Sequence, residues 1–216
     1  FGYSTKLDED AIYLESTEQL LSSVKNSLII ASSTTIISTT IGTMTAIALA
    51  RFRFKFISFY RALIFLPMII PDIVLGIGLL IFFITIGIKL SLLSIIIGHC
   101  TFLSSYVFII VSARLAGMNK TLEEASFDLG ANRFTTFRKI TLPLISPGVI
   151  GGGLLAFIIS LDDLVITYFI AGVNSTTLPV FIHGILRRGI KPEINAIATL
   201  MIVISLLIAA LGLYFR

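Results

Sequence analysis

Residues 123–143 read EEASFDLGANRFTTFRKITLP. The stretch carries three carboxylates, Glu123, Glu124 and Asp128, and three cations, Arg133, Arg138 and Lys139. It lies between two of the most apolar runs in the chain. Leu122, Ala125 and Leu129 fall on one helical stripe, and Phe134, Phe137 and Thr141 on another, at the three- and four-residue steps of an α-helix. Gly130 stands between the stripes, where a helix ends most easily. Pro143 and Pro147 then fix the entry into the next run. The stretch predicts two short helices with a turn between them: a folded polar platform in an oily protein.

The oiliness sets the solvent. The chain has 216 residues, 56% of them hydrophobic and 13% charged, with a mean hydropathy of +1.02. Soluble domains carry roughly a quarter charged residues. A soluble core of this size could not hide so much apolar surface, so the expectation is an all-α integral membrane protein, a polytopic helical bundle. Cys100 is the only cysteine, which excludes an internal disulfide. A membrane helix needs roughly 20 apolar residues at 1.5 Å each. Five spans are predicted, at about 25–50, 59–88, 92–116, 147–172 and 195–215. Residues 1–24 form a polar segment before them, and residues 117–143 the loop that holds the platform.

Cations orient the bundle. Arg51, Arg53, Lys55, Arg61, Arg114, Lys120, Arg133, Arg138, Lys139 and Arg216 fall on one side. Lys6, Lys25, Lys89, Arg187, Arg188 and Lys191 fall on the other. The richer side should be cytoplasmic. That places the platform and the C-terminus inside and residues 1–24 outside. An outer N-terminus without a signal peptide implies a further helix preceding Phe1. Small residues recur every four positions at Ser38, Gly42, Ala46 and Ala50, and at Gly148, Gly152, Ala156 and Ser160. Such faces let helices approach closely in lipid.

Polar groups within the spans mark candidate sites. Pro67 and Pro71 precede Asp72 in the second span. They read as a proline kink or as a broken helix lining a cavity, and Asp72 favours the cavity. Asp162 and Asp163 interrupt the fourth span. A mid-membrane carboxylate costs at least about 2.5–3.5 kcal/mol and usually faces a bundle interior or a wet pathway. The aspartates could equally cap a helix break or pair with a partner subunit. Asp72 and Asp162 each lie 14 residues into their spans, about 21 Å up, so they could share one level. No Lys or Arg lies deep in a span to neutralise them, which suits a cationic ligand. His99 reads as a hydrogen-bonded packing residue, as does His183; beside Cys100, His99 lacks a second pair to complete a metal site. No phosphate-binding glycine loop is present. A carboxylate pair from Asp72 with Asp162 or Asp163 would be the minimum for an intramembrane aspartyl protease.

The platform resembles the EAA motif of the inner-membrane permeases of ABC importers: Glu-Ala-Ala, three residues, Gly, nine residues, Ile, one residue, Leu-Pro. Here the matching residues are Glu124, Ala125, Ser126, Gly130, Ile140, Leu142 and Pro143, with Ser126 for the second Ala the one departure. FLPMIIPDIVLGIGLL (65–80), SLDDLVITYF (160–169) and PEINAIATL (192–200) are similar to the spermidine/putrescine permeases. The resemblance implies a type I ABC importer permease in a bacterial inner membrane, with six spans, the first preceding Phe1. It implies a coupling surface made from Glu123, Glu124, Ala125, Ser126, Asp128, Leu129, Gly130, Ala131, Ile140, Leu142 and Pro143. It implies a substrate path that includes Asp72, Asp162, Asp163 and Tyr168. The implied partners are an ABC ATPase dimer (PotA-like), a second permease (PotB-like), an extracytoplasmic polyamine-binding protein (PotD-like) and the bilayer, with no nucleic acid. ATP and Mg would be used by the ATPase, and this chain would bind no cofactor. The same role for thiamine, ferric iron or another small amine is the alternative.

Overall fold

A computed structural model describes residues 5–52 and 55–186, and nine positions between 199 and 212, with side chains placed from Glu18 onward. Every regular element among these residues is helical. Helix α1 runs from Thr5 to Arg51 without a break. The polar residues 5–24 therefore continue the first span as helix rather than forming a separate segment. After a short turn come α2 (Ile57–Ile69), α3 (Asp72–Thr85) and α4 (Leu92–Ala116). The knob follows: α5 (Thr121–Asp128), α6 (Arg133–Thr136) and one π-helical turn at Phe137–Thr141. That turn feeds α7 (Leu142–Asp162), which is succeeded by α8 (Val165–Ile170) and α9 (Leu178–Leu186).

Three helices among the described residues are long and apolar enough to cross a membrane: Glu18–Arg51, Leu92–Ala116 and Arg133–Asp162. The α2–α3 pair makes a fourth if counted as one broken span. Most of the predicted fifth span (195–215), and Arg53, Arg187, Arg188, Lys191 and Arg216, lie outside the described residues.

Of the proline kink and the broken helix that the sequence left open in the second span, the structure has the broken helix. It bends by 108° between α2 and α3. Pro71 disfavours helical backbone at the residue before it, and Ile70 is extended, with ψ 128°. Pro71 itself is extended, with ψ 138°, and α3 starts at Asp72. The fourth span also breaks, at Asp163, whose ψ is 122°. No proline or glycine causes that break. The Asp163 side chain does, by accepting the backbone N–H of Thr167 at 2.8 Å and its hydroxyl at 2.7 Å in the first turns of α8.

The core lies where α1, α4 and α7 meet. On α7 the small-residue face packs as its spacing foretold. Gly148 sits beside Arg114, Gly152 beside Val107, and Ser160 bonds His99, three successive stations along α4. Ala46 and Ser38 of α1 are buried, while Ala50 at the end of that stripe is exposed. With no hydrophobic drive between helices in lipid, this close fit is what holds the bundle.

At the end of the bundle away from the knob, α1 grips a loop. Asn26 Nδ2 donates to the carbonyls of Asn174 (3.1 Å) and Thr176 (3.0 Å). The Leu178 N–H donates to Ser27 Oγ at 2.8 Å. Gly172 in the same loop backs onto the 87–91 connection so tightly that an added Cβ would lie 1.9 Å from the Leu90 carbonyl oxygen.

Candidate functional site

The knob is built on one turn. Gly130 has φ +81°, a left-handed conformation that costs side-chain-bearing residues roughly 1–2 kcal/mol. Its N–H donates to the Phe127 carbonyl and the Ala131 N–H to that of Ser126, which is the two-bond Schellman closure of α5. Asn132 then caps α6 by accepting the Thr135 N–H at 2.8 Å. The Ser126 and Thr136 hydroxyls meet at 2.9 Å and lock α5 to α6.

The orientation of the knob differs from the sequence reading in two respects. Glu123 does not face outward with Glu124. It is buried, pairs with Arg51 at the end of α1, and accepts the Thr141 hydroxyl at 2.6 Å. Second, Phe134, Phe137 and Thr141 do not share a face: Phe134 is exposed, Phe137 half-buried and Thr141 buried. The π turn at 137–141 accounts for this, because its i→i+5 bonding shifts the phase that an α-helical spacing assumes.

What the knob shows to solvent is apolar with a charged border. Leu129 is 89% and Phe134 69% exposed, with Leu122 and Phe127 about half exposed. Glu124, Ala125, Asp128, Gly130, Leu142 and Pro143 are also exposed, Ala131 and Ile140 half-buried, and Ser126 buried. A structure whose inner groups are hydrogen-bonded yet which leaves its largest apolar side chains outside has the anatomy of a docking surface.

The polar span residues divide. Asp163 is held inside by His99, whose Nε2 lies 3.2 Å from Asp163 Oδ2 and 3.0 Å from Thr167 Oγ1, while its Nδ1 lies 2.8 Å from Ser160 Oγ. His99 is fully buried. The Nε2 edge of the ring meets the Asp163–Thr167 side and the Nδ1 edge meets Ser160. Asp163 thus has a buried nitrogen partner that a search for Lys and Arg overlooked. The signal in the sequence is a lone His in one apolar span and an Asp-Asp pair in another. Asp163 pairs with His99 rather than with a second carboxylate, so the protease dyad does not form there.

Asp162, Asp72 and Tyr168 remain exposed. Asp162 ends α7 and Asp72 begins α3, so both stand at helix breaks. The segments that follow, α3 and α8, pack on each other, with Gly76 against Ile166 and Phe169. The Tyr168 ring meets those of Phe169 and His183 edge-on, at 5.9 and 6.3 Å. A cavity of about 740 Å³ between α4 and α7 is lined by residues such as Ile109, Gly151 and Leu155 and by none of these. It is a packing groove rather than the chemical site.

A broken-helix bundle carrying an apolar-faced knob is a transport architecture, and the comparisons agree. Residues 38–216 match the binding-protein-dependent transport system inner membrane component family. The chain is 40% identical over 199 residues to the spermidine/putrescine transport system permease protein PotC of Haemophilus influenzae, covering 92% of this chain and 77% of that one. It is 40% identical over 205 residues to PotC of Escherichia coli, covering 95% and 76%. The putrescine transport system permease protein PotI of Escherichia coli is 39% identical over 192 residues, covering 86% and 68%. The fold is shared with the MetNI methionine ABC transporter in an inward-facing conformation (TM-score 0.75, 20% identity, 91% of this chain and 94% of that one). It is shared also with a bacterial alginate ABC transporter (TM-score 0.74, 16% identity, 98% and 81%).

The chain belongs to the family of inner-membrane permease components of binding-protein-dependent ABC importers. It is a multi-pass membrane subunit that works with an ATPase and a substrate-binding protein. ATP is hydrolysed in the separate ATPase subunits.

Proposed function

We propose that the chain is one of two permease subunits of a polyamine importer for spermidine or putrescine. The knob and the C-terminus face the cytoplasm. A PotA-like ATPase dimer receives the knob, a PotB-like permease completes the path, and a PotD-like binding protein delivers substrate at the opposite end. ATP and Mg belong to the ATPase, and this chain holds no cofactor of its own. The observation that carries the coupling role is the outward apolar set Leu122, Phe127, Leu129 and Phe134 on a knob otherwise closed by its own hydrogen bonds.

Within the path, Asp72 and Asp162 attract the ammonium groups and Tyr168 offers a ring face to a cation. Asp163 holds the α7–α8 break open for them. Supporting the polyamine reading are the free carboxylates at two helix breaks and the likeness to PotC and PotI. Uptake of labelled spermidine, putrescine and thiamine by cells making the whole complex tests it. Polyamine uptake without thiamine uptake is expected; the reverse assigns the path to another substrate.

A further inference from the structure

Two junctions on α1, one at its C-terminal end and one near its middle, hold other elements of the bundle. At the C-terminal end, Arg51 pairs with Glu123 of the coupling helix α5, and the same carboxylate oxygen takes the Thr141 hydroxyl at the foot of α7. Near the middle of the helix, Asn26 and Ser27 carry three hydrogen bonds to the 174–178 loop between α8 and α9. Asn26 and Arg51 stand 25 residues apart on one uninterrupted helix. At 1.5 Å per residue that is about 38 Å, more than the roughly 30 Å of a bilayer's hydrocarbon core.

From this juxtaposition we infer that α1 is a tie-rod: it carries displacement of the coupling helix directly to the 172–178 loop on the far side of the membrane, in parallel with the path through α7. The inference rests on the permease reading. Three observations support a rigid link rather than incidental contacts. Glu123 is buried and gathers α1, α5 and the π turn on one carboxylate. Between the two junctions α1 is clamped along its length against α4 and α7, where Gly42 and Gly153 allow close approach to Val107 and Thr39. At the far junction the grip is on backbone carbonyls and an amide, so it positions the loop whatever its side chains. The 172–178 loop in turn locks the 87–91 connection through Gly172 and Leu90. The rod therefore reaches both far-side connections that follow the broken spans. Arg51, Glu123, Asn26 and Ser27 are positioning residues in this scheme and touch no substrate.

The test uses the complete importer in lipid vesicles, with spermidine taken up per ATP hydrolysed as the readout. Glu123→Gln and Asn26→Ala should each lower that ratio, by about two- to thirtyfold if the coupling change is typical, with ATPase turnover retained. Since both cut one rod, the double variant should be no worse than the more severe single one. The exchange Arg51→Glu with Glu123→Arg should recover most of the ratio lost in either single charge change. Ser27→Ala gives a milder version at the far junction if Asn26→Ala assembles poorly. Losses that multiply in the double variant, or an unchanged ratio in Glu123→Gln, would overturn the rod and leave the permease reading standing. A wild-type complex that hydrolyses ATP with no uptake of any substrate would remove both.

Discussion

Thr141 donates its hydroxyl to Glu123 at 2.6 Å across 18 residues of sequence, and the same carboxylate pairs with Arg51. The contact places the coupling helix α5 against the foot of α7 and the end of α1 together. Glu123 is thereby a fastener of the knob, and the proposed docking surface is the remainder.

Thr141→Val keeps the shape and removes the donor. Glu123 retains Arg51, so the expected loss is about 1 kcal/mol, read as a lower melting temperature in detergent. Arg51→Ala should cost more, because it leaves a buried carboxylate with a hydroxyl alone. Equal stability of Arg51→Ala and wild type would remove the junction's structural role.

His99→Ala strips the nitrogen partner from a carboxylate inside the membrane. We expect a marked drop in folded protein, on the order of 1–3 kcal/mol. Asp163→Asn should be milder, since an amide oxygen can still accept from the Thr167 N–H. Combining the two should cost less than their sum, as for residues in one network. Thermal unfolding of all three variants in the same detergent checks this.

Asp162→Asn and Asp163→Asn separate path from scaffold. The first should raise the substrate concentration needed for half-maximal uptake with normal expression. The second should reduce the amount of assembled complex more than the apparent affinity. Identical behaviour of the two would contradict the division drawn from their exposure.

Gly130→Ala forces a side chain into the left-handed region, at about 1–2 kcal/mol, although nothing lies within 4 Å of the added carbon. Gly130→Asn should be tolerated better, because asparagine visits that region more readily. At Gly172 the argument is steric: the added carbon meets Leu90 backbone, which cannot rotate away. Gly172→Ala should therefore destabilise more than Gly130→Ala, measured by protease resistance in membranes.

Much of this architecture could be read from spacing. Gly130 turns the knob at its middle and Pro143 opens the next helix, as their positions in the sequence implied, and the small-residue face of α7 lies on α4 station by station. Pro71 announced the break in the second span, but not its 108° angle, and Pro67 stays inside the unbroken α2. The inward turn of Glu123 is set by Arg51 and Thr141, distant residues that only the tertiary fold brings to it, and the phase of Phe134, Phe137 and Thr141 shifts where the chain is π-helical at 137–141. The His99–Asp163 pair is not legible in the sequence because its members sit in different spans and only the tertiary fold brings them together.

The central claim is that the knob docks on a separate subunit at the cytoplasmic face. Replace Cys100 by Ser, place a single cysteine at Leu129, 89% exposed on the knob, and treat the assembled complex with a thiol cross-linker. The account predicts a cross-link to the ATPase subunit whose yield changes on adding ATP, and no labelling by a membrane-impermeant maleimide applied from outside intact cells. Labelling from outside, or a complex in which Leu129→Cys reaches no other subunit, would contradict it.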